Sequence, residues 1–206
     1  MDKAIREQEM QDAKERNLVW QQTKVTYEQH CELLGQKGLV VWFTGLSGAG
    51  KSTIATEVER LLCEQKVSTY MLDGDNIRHG VNRDLGFSDA DRNENIRRIS
   101  EIAALFQNAG LVTLVAFISP FKEMREFARA CAGVENFVEV YVKADLETCR
   151  KRDPKGLYQK KINNFTGIDS SYEEPDNADI VLDTTTLSVE ESAKKVIEEI
   201  QKRLKQ

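Results

Sequence analysis

Five short apolar runs punctuate the chain, LVVWFT (39–44), VSTYML (67–72), LVTLVAF (111–117), FVEVYV (137–142) and DIVLD (179–183). The first is continuous and rich in β-branched and aromatic residues, the texture of a strand buried on both faces. Between the runs the spacing turns helical: Ile54, Val58, Leu61 and Leu62 form one stripe, and Ile96, Ile99, Ala103, Phe106 and Ala109 another. Each stripe predicts one buried helix face. The second of these helices is predicted to begin at Ser88, with Asp91 three residues on as capping-box partner, and to stop at Gly110. A last amphipathic segment, Ser188 to Leu204, carries Val189, Ala193, Val196, Ile197 and Ile200 on one side. Strand and helix alternate throughout, which predicts a central parallel five-stranded sheet with helices on both faces, an α/β three-layer fold. Residues 1–36 differ in texture: they are highly charged, with Trp20, Tyr27 and a few aliphatics at loose helical spacing, and are expected to form an N-terminal arm before a domain spanning 37–206.

Composition narrows the classes. A chain of 206 residues suits one domain, and 40% apolar residues suffice for a sizeable core. With 29 Lys+Arg against 34 Asp+Glu the formal net charge is −5, which argues against a main task of gripping nucleic acid or an anionic membrane. No apolar run approaches the roughly 20 residues of a membrane span. Cys31, Cys63, Cys131 and Cys149 are scattered, with no Cys-x-x-Cys pair to hold zinc, and the N-terminus shows no apolar signal stretch. A cytoplasmic, reduced protein is expected.

The strongest chemical signal follows the first strand. Gly45-Leu46-Ser47-Gly48-Ala49-Gly50-Lys51-Ser52 matches G-x-x-x-x-G-K-[ST] between a strand and an amphipathic helix. Its glycines let successive N–H groups point into one concavity, and the helix N-terminus faces the same phosphates. The fold is therefore expected to be of the P-loop NTPase type. Lys51 would reach the β- and γ-phosphate oxygens of ATP, and the Ser52 hydroxyl would ligate Mg²⁺. The second strand ends in Asp73-Gly74-Asp75-Asn76. Read as extended backbone, Asp73 and Asp75 project to the same side, one as base and one as metal or positioning group, with Asp75 favoured as base and Asp73 as metal ligand.

Beyond this pair lie Arg78, Arg83, Arg92, Asn95, Arg97 and Arg98, a cationic cluster in an acidic protein, with Phe87 among them. Phe87 would either stack on a flat base beside the arginines or serve as a hydrophobic staple on the following helix. Ser119, in Phe117-Ile118-Ser119-Pro120, falls at the carboxyl edge of the third strand, as a plain Ser-Pro turn or a site residue; no His or second base stands near it in sequence.

Taken in order, V-W-F-T-G-L-S-G-A-G-K-S-T (41–53), L-D-G-D-N-I-R (72–78), N-R-D-L-G-F-S (82–88), D-R-x-E-N-I-R-R-I (91–99), F-I-S-P (117–120), R-D-P-K-G-L-Y (152–158) and F-T-G-I-D-S-x-Y-E-x-P (165–175) resemble the adenylylsulfate kinase family. The resemblance covers about residues 25–200. It implies transfer of the ATP γ-phosphoryl group to the 3′-hydroxyl of adenosine 5′-phosphosulfate. It also implies that Gly45 to Thr53 and Arg152 contact ATP, and that Asp75, Asn76, Arg78, Phe87, Arg92, Asn95, Ile118, Ser119, Lys155 and Phe165 line the adenylylsulfate pocket. Arg92 and Asn95 would grip the phosphosulfate, Phe87 and Phe165 would sandwich the adenine, and Ser119 is the position assigned to a phosphoserine intermediate. A homodimer is implied as well. The Gln-Lys-Lys-Ile-Asn-Asn segment after Tyr158 is shorter than usual in the family and is expected to be a mobile lid. There Lys160 and Lys161, or else Arg150 and Arg152, would supply cations. Two other readings stay open: a P-loop kinase of another small hydroxyl substrate, and an ATP-dependent regulatory binding module.

Overall fold

The computed structural model describes residues 18–19, 21–160 and 165–205. Its elements in chain order are α1 (Tyr27–Leu34), β1 (Leu39–Thr44), α2 (Lys51–Glu64), β2 (Thr69–Asp73), α3 (Gly74–His79), α4 (Asp89–Asn108), β3 (Val112–Ala116), α5 (Lys122–Ala132), β4 (Phe137–Lys143), α6 (Leu146–Arg152), β5 (Ile180–Asp183) and α7 (Val189–Lys205). The sheet has the order β2-β3-β1-β4-β5 with every pairing parallel, as the alternating pattern predicts.

β1 sits at the centre because all six of its residues are apolar or small enough to be buried on both sides. Pleating sends Val41 and Phe43 to one face, where they meet Ile54, Val58 and Leu62 of α2 and Ala193, Val196 and Ile200 of α7. Val40 and Trp42 go to the other face, against Ile96, Ile99 and Ala103 of α4 and Met124 and Ala128 of α5. The helical stripes read from spacing are these buried faces. Burial of each large side chain contributes about 1.5–3 kcal/mol.

The termini of the long helix form as read. Ser88 and Asp91 make a reciprocal capping box at the start of α4, which ends at Asn108, two residues before Gly110 at φ 88°. The second strand starts two residues later than its apolar run, at Thr69, because Val67 N–H still donates to the Leu62 carbonyl at the exit of α2. Of the expected arm, the described residues show α1, opened by a Thr26–Gln29 capping box. Gln36 then fastens the chain to the body: its Nε2 donates to the carbonyls of Ser68 and Gly110, and its Oε1 accepts from Ser68 N–H. Residues 1–17, Trp20 and Lys161 lie outside the described residues.

β3 and β4 leave β1 on opposite sides, so a crevice opens at the carboxyl ends of the strands, the place where open α/β sheets bind ligands.

Candidate active site

The crevice is one cavity of about 1070 Å³. It lies over the loop that joins β1 to α2. Gly45 has φ 145°, and a Cβ there would stand 2.3 Å from the Val142 carbonyl oxygen. Gly48 has φ 80° and lies against the main chain of Cys149. Only glycine lets the loop pass so close to β4 and α6. Lys51, the first residue of α2, is nearly buried, and its Nζ donates to the carbonyls of Gly45 and Leu46, both at 2.8 Å. Burial, then the nearby charge of Lys155, push its pKa down from the ordinary 10.5 to about 8. An anion in the loop would oppose this shift by favouring the charged form.

Ser52 donates its hydroxyl proton to Asp73 Oδ2 at 2.6 Å. Asp73 is also the N-cap of α3, its Oδ1 accepting from the N–H groups of Asp75 at 2.9 Å and Asn76 at 3.4 Å. Extended backbone therefore ends at Asp73, and the expected strand-like pairing of Asp73 with Asp75 is corrected: Asp75 lies in the first turn of a helix. Both carboxylates still line the cavity, Asp73 through its cap and Asp75 from the helix. Asp75 forms an ion pair with Lys155, which comes from the far side of the cavity after α6.

Opposite the loop, the cationic cluster divides. Arg97 and Arg98 pair with Glu94 and, for Arg98, with Asp84 on the outer face. Arg78 and Arg92 line the cavity, where desolvation lowers the pKa of each. The Arg78 guanidinium lies 4.4 Å above the Phe87 ring and donates to the carbonyls of Leu85 and Gly86. Phe87 is 60% exposed, and the residue a hydrophobic staple would pack against is Arg92, so the staple does not form and the ring faces the cavity. Arg92 donates to the Phe87 carbonyl and to the Thr166 hydroxyl at 2.7 Å, joining α4 to the segment that carries Phe165. The Phe165 ring meets Tyr158 edge-on at 4.8 Å.

Ser119 lies in the left-handed region, φ 45°, and is 1% exposed. Its carbonyl accepts from Arg125 Nη1, and Arg125 also pairs with Glu139 at 2.8 Å and donates to the Glu173 carbonyl. That buried guanidinium thus ties the Ile118-Ser119-Pro120 turn to the segment following Phe165.

Of the sequence-derived residues, Ser47 to Thr53, Asp73, Asp75, Arg78, Phe87, Arg92, Asn95, Ile118, Ser119, Arg152, Lys155, Lys160 and Phe165 line the cavity. Gly45 and Leu46 serve through their carbonyls, and Asn76 through the N–H that caps on Asp73. Arg150, by contrast, is exposed and outside the lining. Three residues were not anticipated. Thr184, after β5, donates to the Ala49 carbonyl and accepts from Arg152 Nη1. Tyr158 donates to the Ser47 carbonyl at 2.8 Å, and Asn82 donates to Asn95. Each contact joins residues far apart in sequence or separated by a turn, where no spacing rule applies.

Residues 37–183 match the family described as adenylylsulphate kinase. The chain is 53% identical over 191 residues to an adenylyl-sulfate kinase of Geotalea uraniireducens, covering 91% of this chain and 92% of that one. It is 52% identical over 188 residues to the adenylyl-sulfate kinase of Oceanobacillus iheyensis, covering 89% and 94%. Among solved structures it resembles the APS kinase of Mycobacterium tuberculosis in complex with AMPPNP and APS, with TM-score 0.77, 50% identity and coverage of 80% of this chain and 98% of that one.

Proposed function

The chain belongs to the adenylylsulfate kinase family, and from that premise we propose that it transfers the γ-phosphoryl group of ATP to the ribose 3′-hydroxyl of adenosine 5′-phosphosulfate. The observation that carries this reading is the meeting, in one cavity, of the phosphate loop with a wall made by Arg78, Phe87, Arg92 and Asn95. A flat base stacks on an aromatic ring and a guanidinium, and an anionic group is held by arginine and amide donors.

ATP would lie along Gly45 to Thr53, with its phosphates on the loop N–H groups and its base toward Arg152 and Thr184. Lys51 leaves the Gly45 and Leu46 carbonyls for the β- and γ-phosphate oxygens. Ser52 and Asp73 fit Mg²⁺ in chemistry, since a hydroxyl and a carboxylate oxygen already in contact are the hard donors that this ion takes alongside water and phosphate oxygens. When bound, the ion supplies neutralisation of charge on the phosphate oxygens. Asp75 accepts the proton of the 3′-hydroxyl as its oxygen bonds to the γ-phosphorus and the bond to the bridging oxygen of ADP breaks. Lys155, already beside Asp75, adds a cation to the transfer path.

Ser119 fits a structural part better than a covalent one. Its hydroxyl oxygen accepts from the Trp42 indole N–H at 2.9 Å, and an indole cannot take a proton from it. Direct transfer needs positioning and charge stabilisation only.

ADP formation should be measured with ATP and Mg²⁺ and with adenylylsulfate, gluconate, shikimate or AMP as acceptor. Turnover with adenylylsulfate alone is expected; preference for another acceptor would refute the assignment. The cytoplasm is the proposed setting, supported by the free thiols of Cys31, Cys63 and Cys149. A homodimer is proposed too, supported by the exposed apolar side chains of Val25 and Leu33 on and before α1.

A further inference from the structure

Asn82, in the turn between α3 and α4, is a polar side chain with 0% exposure. Its backbone is pinned on both sides, Asn82 N–H donating to the Ile77 carbonyl at 3.0 Å and Leu85 N–H to the Asn82 carbonyl at 3.1 Å. The side-chain Nδ2 donates to Oδ1 of Asn95 at 2.9 Å and approaches the main-chain carbonyl oxygen of Asn95 at 3.5 Å. Its own Oδ1 makes no hydrogen bond among the described residues. A buried amide with an unpaired oxygen is a net cost to stability that a leucine of similar size would avoid. What the nitrogen end does must offset that cost.

A carboxamide has a donor end and an acceptor end, and in a buried site the groups facing it decide which way round it sits. A main-chain carbonyl can only accept. The Asn95 carbonyl therefore draws the nitrogen of Asn82 to that side, and this nitrogen in turn requires the oxygen of the Asn95 side chain opposite it. The remaining end of Asn95 is Nδ2, which forms no hydrogen bond among the described residues. Asn95 itself lines the cavity, three residues after Arg92 and hence on the same face of α4.

We infer that Asn82 is a positioning residue that locks the Asn95 carboxamide with both N–H donors toward the cavity, making Asn95 a donor-only contact for the anionic part of the acceptor substrate. The inference rests on the adenylylsulfate reading. Without the lock the amide can turn and present its oxygen to the anion, which repels it. The family resemblance marks Asn95 as a site residue and says nothing of which end of its amide is offered; Asn82 supplies that information.

The test is a double-mutant cycle with Asn82→Leu, Asn95→Leu and the pair, varying adenylylsulfate and ATP separately. In the unaltered background Asn82→Leu is expected to raise the KM for adenylylsulfate about tenfold or more, with kcat and the KM for ATP within about twofold. With Asn95 already replaced, Asn82→Leu should add nothing. Equal effects in the two backgrounds, or a KM for ATP that rises in step, would overturn the inference. Failure of the kinase reading is seen separately, as absence of adenylylsulfate phosphorylation by the unaltered protein. If Asn82→Leu does not fold, the unaltered protein still decides: the side-chain amide protons of Asn95 should shift in NMR spectra on saturation with adenylylsulfate and stay in place with ATP. An Asn95 amide indifferent to adenylylsulfate would overturn the lock.

Discussion

The indole N–H of Trp42 points out of β1 at the hydroxyl oxygen of Ser119, 2.9 Å away across 77 residues of chain. Trp42 is fully buried, with its ring between Phe117 and Phe137 at centroid distances of 6.3 and 6.0 Å. Nothing else among the described residues accepts that N–H, so Ser119 is bound into the core on one side while its turn faces the cavity on the other.

Ser119→Ala therefore leaves a buried indole donor unpaired and is expected to cost about 1–3 kcal/mol of stability. That appears as a fall of several degrees in the melting temperature. Turnover should stay within about tenfold of the unaltered enzyme. A folded alanine variant with turnover down about a thousandfold would restore the phosphoserine intermediate.

On the proposed mechanism, Lys51→Ala removes the side chain that would neutralise the transferring phosphate. A loss on the order of 10³-fold in kcat is expected, with an unchanged melting temperature or a higher one, since a buried cation is also removed. Steady-state rates and a thermal melt on the same preparation separate the two effects.

With its pKa pushed down to about 8, Lys51 loses its charge as pH rises through that value in the free protein. Phosphates require the charged form, so ATP binding above that pH must take up a proton, whereas near pH 7 the lysine is already protonated. Calorimetry at both pH values in buffers of different ionisation enthalpy measures this uptake. Proton uptake present at about pH 9 and absent in Lys51→Arg, whose guanidinium stays charged, is the expected pattern.

Asp75 and Lys155 form an ion pair across the mouth of the cavity, and both are about half exposed. Their mutual attraction adds little to stability. Asp75→Asn is expected to lower kcat by about 10²- to 10⁴-fold, the usual weight of a general base, with little change in melting temperature. Lys155→Met should weaken turnover less than this. An Asp75→Asn variant with normal kcat would remove Asp75 from the chemistry.

Arg125 behaves differently, because its charge is buried with Glu139 and two main-chain carbonyls. Among the described residues, Arg125→Met leaves Glu139 with only the longer 3.4 Å ion pair to Arg129. A loss of about 3–5 kcal/mol is expected in denaturant unfolding. A change below about 1 kcal/mol would show that the Ser119 turn does not depend on this clamp.

Most of the fold was legible because the signals that specify it are local. The five apolar runs became the five strands, and the Ser88–Asp91 box forms at its predicted place, since its partners are three residues apart. The phosphate loop was equally legible from its glycines. What escaped was set at long range or by a change of backbone state. Asp73 and Asp75 line one cavity, yet the strand ends between them and a helix begins, so period-two reasoning brings them together by the wrong geometry. The division of the arginines depended on Glu94 and Asp84 claiming Arg97 and Arg98. Thr184 reaches Ala49 across 135 residues, a contact that only the assembled sheet creates.

On the proposed reading, the strand order gives the two substrates largely separate territories. Asp75, Arg78, Phe87, Arg92, Asn95 and Ser119 hang from the β2–β3 side of β1, while Arg152 and Thr184 belong to the β4–β5 side. Two of the expected acceptor contacts cross from that second side: Lys155, which pairs with Asp75, and Phe165. On that reading, most of the acceptor contacts thus come from one contiguous stretch, β2 to α5. A new acceptor specificity would therefore need the stretch from β2 to α5 exchanged together with Lys155 and Phe165.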